Sequence, residues 1–358
     1  MRTDAKLAEA VHGAIEDAIA TGQTPGAVCL IARGDETLCL DAVGERSWEP
    51  GRLPMEPDTV FDMASVTKVV ATTTVVMQLV ERGVLSLEDA VQRWLPEFRD
   101  GRVTLRHLLA HSSGLPAHRN YPTLLGYEVP PEERWERVVG EICRLPQEYE
   151  PGEGTIYSCL GFILLTHIVR LASERGVEDL SRERVFGPLG MGDTGFCPSR
   201  ELTGRCAATE RLPEGVLLGD VHDENSRYLG GAGGNAGLFS TATDLWRFMR
   251  MILAYGELDG ARVLRPETVE MMLEPQAGAP DGRRCIGWRL GHATDPHMHG
   301  APTPESVGHT GYTGTCVWAD RASGMIVILL ANRVHSSREA DVEQMRREIG
   351  AIAAEVAE

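Results

Sequence analysis

Phe61-Asp62-Met63-Ala64-Ser65-Val66-Thr67-Lys68 runs straight into an apolar-rich stretch that reads as a helix over Thr67–Arg82, ended by Gly83. A Ser and a Lys three residues apart at a helix start lie on one face, so the amine can sit beside the hydroxyl. The helix N-terminus adds free backbone N–H groups and partial positive charge where an oxyanion would develop. Lys68 can act as a base only if burial and neighbouring cations lower its pKa toward neutrality. Taken alone, S-x-x-K is a weak signal, because an N-capping Ser followed by an exposed Lys gives the same pattern.

Outward from this segment the periodicity changes twice. Toward the N-terminus, Leu7, Val11, Ala14/Ile15 and Ala18/Ile19 recur at helical spacing, and two β-rich runs, 27–32 and 37–43, flank Arg33-Gly34-Asp35 as a hairpin. Toward the C-terminus the pattern is mainly helical to about residue 280, clearest over 105–110, 134–144, 160–175 and 244–255. Runs 285–291, 313–319 and 325–332 then read as strands, and 337–358 as a closing helix. The expectation is an α/β (α+β) chain: an antiparallel sheet built from both termini (1–64 and 281–358), flanked by helices, with a mainly helical lobe (65–280) inserted and the site between them.

Two further blocks carry chemistry. Tyr157-Ser158-Cys159 follows Pro151-Gly152-Glu153-Gly154 and opens a helix, and His309-Thr310-Gly311-Tyr312-Thr313-Gly314 opens the expected 313–319 strand. With Ser65-x-x-Lys68, and with His107-Leu108-Leu109-Ala110-His111-Ser112-Ser113-Gly114 and Gly237-Leu238-Phe239-Ser240-Thr241 beside them, the chain resembles the serine β-lactamase and penicillin-recognising family. The likeness is to its class C β-lactamase, D-Ala-D-Ala carboxypeptidase, esterase and acyltransferase branches, over residues 10 to 335. The resemblance implies that Ser65 attacks a carbonyl and carries the acyl group, that Lys68 helps to deprotonate it, and that Tyr157, given phenolate character by nearby cations, shuttles the proton to the leaving group. It also implies an oxyanion hole from the backbone N–H groups of Ser65 and Tyr312, and a substrate cleft reached by Cys159, His222, His309, Thr310 and Gly311.

Two positions depart from that pattern. Cys159 stands where the family commonly has Asn or Asp; a thiol is a weak hydrogen-bond partner, so it is not expected to hold Lys68 as Asn does, and inert packing is the simpler reading. His309 replaces the usual Lys, a permanent charge for a substrate carboxylate, with a group that titrates near neutrality. Both shift the reading from β-lactam or D-alanyl peptide cleavage toward a carboxylesterase or transacylase that passes the acyl group of a small ester or amide to water, an amine or an alcohol. The alternatives are a β-lactamase or D-alanyl carboxypeptidase, and a catalytically inactive penicillin-binding-like sensor.

Other clusters read more plainly. His292, His297 and His299, with Asp295, lie in a Pro/Gly-rich loop without standard zinc spacing, and His107 and His111 lack the Glu of H-E-x-x-H, so neither metal nor cofactor is expected. Gly230–Gly237 does not fit a nucleotide-binding loop and is expected to pass backbone close to the cleft; His222-Asp223-Glu224-Asn225 either lines the cleft mouth or caps a loop.

Of 358 residues 42% are hydrophobic, so the chain can build a real core. The 52 Asp and Glu against 35 Lys and Arg give a formal net charge of −17, and no basic patch is visible, so neither nucleic acid nor a membrane surface is an expected partner. The eight cysteines form no C-x-x-C, the apolar runs fall far short of the roughly 20 residues of a membrane helix, and no export signal is evident. A cytoplasmic protein with reduced, mostly buried thiols is expected.

Overall fold

The computed structural model describes residues 5–49, 51–276, 283–291 and 306–357. The central strands are β1 (Gly26–Arg33), β2 (Glu36–Ser47), β3 (Leu53–Pro54), β4 (Arg289–Leu290), β5 (Val307–Thr310), β6 (Cys316–Ala319) and β7 (Met325–Ala331). They form one antiparallel sheet ordered β4-β5-β6-β7-β1-β2-β3, in which the two ends of the chain meet through Ala27↔Ala331 to Arg33↔Met325.

Alternation along β1 and β7 explains why the sheet is buried on both faces. Ala27, Cys29, Ile31, Met325, Val327 and Leu329 pack with Leu7, Val11 and Ile15 of α1 (Ala5–Ala20) and with Met345 and Ile349 of the closing helix. The alternate residues, Val28, Leu30, Ile326, Ile328 and Leu330, belong to a larger core that runs on into the helical segments through Val70, Val76, Phe162, Leu165 and Phe248. Tryptophan 288, Phe61 and Tyr121 are among its largest fully buried side chains.

The expected elements exist, with shifted limits. The helix after Ser65 opens with a 3₁₀ turn over Ala64–Val66, widens to a π turn over Lys68–Thr73, and becomes α2 (Thr74–Glu81). The Thr74 hydroxyl donates to Val69 O at 2.9 Å, a bond spanning five residues that accompanies the wide turn. The Cys159 helix is α3 (Cys159–Ser173), the one following Thr241 is α4 (Ala242–Leu253), and the closing helix, α5, spans only Glu343–Ala357 because Ser337 is extended after a short turn at Arg333–Ser336.

The expected strand at 285–291 shrinks to β4, since Ile286-Gly287 turns sharply with Gly287 at φ 78°. The His309 block closes a strand, β5, rather than opening one; the 313–319 strand begins at Cys316, after a turn in which the Gly311 N–H donates to Thr315 O. β5 is too short, and its flanking residues too mixed, for periodicity to reveal it.

Candidate active site

Asp62, at the end of the short strand Phe61–Asp62, is buried, and its carboxylate accepts the N–H of Ala64 (2.8 Å) and of His222 (2.7 Å). The first bond holds Ala64 at φ 44°, a left-handed conformation that costs a non-glycine residue energy and turns Ser65 toward the cleft. From the sheet side, the Thr313 hydroxyl donates to Asp62 O (2.8 Å) and that of Thr315 to Met63 O (3.1 Å). Gly311 is required here, because a Cβ would lie 2.5 Å from Met63 O. The Ser65 turn and the β5–β6 corner are thus pinned to each other.

Lys68 is fully buried, with Nζ donating to Asn235 O (2.7 Å) and Ser65 Oγ (3.1 Å) and lying 3.5 Å from Cys159 Sγ. The expected helix-face pairing of hydroxyl and amine is therefore present. The glycine-rich loop supplies the strongest of these contacts through a main-chain carbonyl. It comes this close because Gly234 lacks a Cβ, which would stand 1.7 Å from Thr166 Oγ1, and because Thr72 donates to Gly234 O.

Tyr157 is placed by His111, which sits at φ 58°; Nδ1 of His111 accepts the Ser158 N–H (3.1 Å) and its carbonyl accepts the Ile156 N–H (3.1 Å). The Tyr157 ring lies 4.9 Å below Lys68 Nζ and 5.4 Å from the Arg284 guanidinium, with His111 and His309 at ring distances of 4.5 and 5.8 Å. Its hydroxyl is sealed from solvent, closes no hydrogen bond in this conformation, and faces Lys68 and Ser65.

The electrostatics reverse two expectations. Burial pushes the Tyr157 phenol up, more than Lys68 pulls it down, so it rests as a phenol rather than a phenolate. Burial works against a charged Lys68, but its attraction to Cys159, and next to Tyr157, outweighs this and holds the amine above its ordinary value, so it rests as an ammonium. Cys159 also departs from the packing role expected of it. Burial raises its thiol, yet Lys68 and a hydrogen bond from His118 lower it below the ordinary value, and the residue lines the cleft. Bonding to Cys159 in turn raises His118. Six of the other seven cysteines are buried and Cys197 is exposed; all eight are free.

The cleft has a volume of about 990 Å³ and is lined by Ser65, Tyr157, Cys159, His222, His309, Thr310, Gly311 and Tyr312, so the structure brings together every cleft residue named from the sequence, above the buried Lys68. Tyr312 is 49% exposed and stacks on His222 at 5.5 Å. Its carbonyl accepts from Arg333 Nε, and its N–H takes no part in the backbone bonds of its turn. His222 lies 3.1 Å from Glu210 and lines the cleft, while Asp223 caps the helix Glu224–Tyr228, so that segment does both things considered for it.

Sequence reading missed His118, the Asn235 carbonyl and the arginines. Although no basic patch shows in the sequence, folding gathers Arg284, Arg289, Arg333, Arg338 and Arg346 around the cleft, interleaved with Asp223, Glu224, Glu339, Asp341 and Glu343. The His292, His297, His299 and Asp295 cluster lies outside the described residues. Among the described residues no group of three or more His, Cys, Asp or Glu could hold a metal ion, and no helix is long and apolar enough to cross a membrane.

Five histidines, His107, His111, His167, His309 and His335, are held below their ordinary value, in each case chiefly by burial. Below pH ~6.5 the unfolded chain binds protons that the folded chain refuses, so acidification destabilises the fold, by up to about 1.4 kcal/mol per pH unit for a fully buried ring. Two raised histidines, His12 bonded to Asp41 and His118 bonded to Cys159, act in the opposite sense from 6.5 up to their raised values but are outnumbered, and Asp62 and Asp244, raised mainly by burial, do so from 3.8 up to theirs. The expected result is a lower Tm at pH ~5.5 than at ~7.5 in circular dichroism melts; an unchanged or higher Tm would contradict neutral buried rings.

The family model for Beta-lactamase matches residues 11–351. A protein of Escherichia coli (strain K12), provisionally named D-alanyl-D-alanine carboxypeptidase, is 31% identical over 347 residues, covering 87% of this chain and 79% of that one. Among solved structures, EstCE1, described as a hydrolase with promiscuous acyltransferase activity, superposes with a TM-score of 0.75 at 24% identity, over 97% of this chain and 98% of its own. Unliganded simvastatin synthase (LovD) from Aspergillus terreus gives 0.73 at 20% identity, over 99% of each chain. These two likenesses bear on the fold, while the family match spans both the Ser65–Lys68 helix and the β5–β6 corner. The chain belongs to the Beta-lactamase family and is an enzyme of that family.

Proposed function

We propose that the chain is a serine acyl-transfer enzyme that takes the acyl group of a small ester or amide onto Ser65 and passes it to water or to an amine or alcohol. The observation that carries this reading is the buried Lys68 ammonium, 3.1 Å from Ser65 Oγ at the floor of an open cleft and beside a lowered thiol. Lys68 is charged at rest, and the active form is the one in which the neighbouring Cys159, its thiol lowered chiefly by that charge, is ionised. Transfer of one proton from Lys68 Nζ to Cys159 Sγ leaves a neutral amine, which takes the Ser65 proton as Oγ bonds to the carbonyl carbon. The Tyr157 phenol, protonated at rest, then donates to the leaving group and is reprotonated from Lys68. The backbone N–H groups of Ser65 and Tyr312 would hold the oxyanion, each worth about 3 kcal/mol. Whether the acceptor is water or an amine or alcohol depends on which of them reaches the acyl carbonyl.

Intact-mass spectrometry tests this after incubation with ester, thioester and β-lactam panels, with and without an amine acceptor. A Ser65-linked acyl mass that decays to acid or to amide is the expected result; no adduct from any panel member would end the reading. Catalysis is expected to survive extensive chelation, and loss restored by zinc would point instead to the histidines of residues 292–299.

The name of the Escherichia coli relative favours a second reading, D-alanyl carboxypeptidase or β-lactamase. His309 and Cys159, in place of Lys and Asn or Asp, weigh against it. Nitrocefin turnover comparable with that of good ester substrates would revive it.

A further inference from the structure

β5 delivers one side chain to the cleft whose hydrogen bonding is half complete. His309 shares a face with the core residue Val307, is only 5% exposed, and lines the cleft with Ser65, Tyr157 and Arg284. Its Nδ1 lies 2.8 Å from Thr310 O. A carbonyl only accepts, so Nδ1 carries the proton and Nε2 carries a lone pair. That Nε2 is buried and has no partner among the described residues. A buried acceptor left unmatched is unfavourable, and a donor brought into the cleft relieves it.

We propose that His309 forms a neutral acceptor subsite, in which Nε2 receives a hydroxyl or amide N–H that the substrate carries near its reacting carbonyl. The proposal rests on the acyl-transfer reading above and assigns it a substrate class. A carboxylate does not fit Nε2, because it would set lone pair against lone pair unless the ring took a second proton. Burial, with Lys68 and Arg284 adding to it, pushes the ring down to about 3, so roughly one ring in ten thousand is protonated at neutral pH. An ammonium does not fit either. Lys68, Arg284 and Arg289 act on this ring as cations and would repel a further charge of their own sign. A neutral donor is what remains. Thr310 O accepts the other side of the ring, which fixes the tautomer and keeps Nε2 an acceptor.

The test uses three 4-nitrophenyl esters of similar size on the full chain: 3-hydroxybutanoate, 3-methylbutanoate and hydrogen succinate. The hydroxy ester is expected to exceed the methyl ester in kcat/KM by about 10- to 100-fold, and to exceed the succinate ester as well. In His309→Leu the hydroxyl-to-methyl ratio should fall to within about threefold of one, and His309→Lys should favour the succinate ester. A wild-type ratio near one, a wild-type preference for the succinate ester drawn by Arg284 and Arg289, or a ratio that survives His309→Leu would each overturn the subsite. Those wild-type ratios decide the matter even where a variant does not fold, which fluorophosphonate labelling of Ser65 would reveal. If wild type forms no adduct with any ester or with the fluorophosphonate, the acyl-transfer reading itself fails; an adduct with flat ratios removes only the subsite.

Discussion

Ser65→Ala is expected to abolish covalent labelling by a fluorophosphonate and by a β-lactam probe, and to lower kcat for any ester by at least about 10⁴-fold. The effect is large because nothing near Ser65 replaces the lost oxygen in the same position. Cys159 Sγ is the other nucleophilic atom beside Lys68, and it reaches the amine from a different element, α3, rather than from the Ala64–Val66 turn that carries Ser65. Intact-mass spectrometry of wild type and variant gives the answer directly. Labelling that persists in Ser65→Ala would transfer the nucleophile's role to another residue, and peptide mapping would say whether that residue is Cys159.

Lys68→Ala follows, with an expected loss of roughly 10²–10⁴ in kcat and a smaller change in KM. The variant removes the amine that lies between Ser65 Oγ and Cys159 Sγ and donates to the Asn235 carbonyl. Stability should respond far less than activity. The buried ammonium carries a desolvation cost that its three contacts offset, and both sides of that balance disappear together. A drop in kcat with a Tm within a few degrees of wild type supports the catalytic role. Collapse of the fold in Lys68→Ala but not in Lys68→Met would assign Lys68 a packing role, and full activity in either variant would remove it from the chemistry. Tyr157→Phe is expected to cost a comparable factor in kcat while leaving Ser65 labelling by an activated fluorophosphonate largely intact, because an activated leaving group needs little protonation.

Much of this site was legible in the residues because its signals are local. Ser65 and Lys68 share a helical turn, so their spacing alone sets them side by side. The apolar run at 325–331 is buried on both faces, so it reads as a strand, and the 27–33 run pairs with it. Burial on both faces also explains why neither run alternates. Other features had no such signature. β5 is four residues long, and what closes it is a turn pinned by the Thr313 and Thr315 hydroxyls rather than a pattern of its own. The Asn235 carbonyl belongs to every residue type alike, and its role follows only from the approach of a loop 167 positions away.

Protonation states were the least legible of all. Sequence reasoning required a lowered Lys68 and an ionised Tyr157, and the structure supports neither. A pKa answers to burial and to charges within a few ångströms, and those come from Cys159, 91 positions from Lys68, and from His118 and Arg284 on still other segments. Sequence by itself singled out Ser65, Lys68 and Tyr157 and the two-ended sheet, since each rests on short-range periodicity or on a motif a few residues long. Only the tertiary structure decided that Lys68 rests charged against a thiol, that five arginines rim the cleft of an acidic protein, and that His309 offers a lone pair instead of a charge. Dielectric and electrostatic environment are properties of what folding packs together, and no stretch of chain carries them alone.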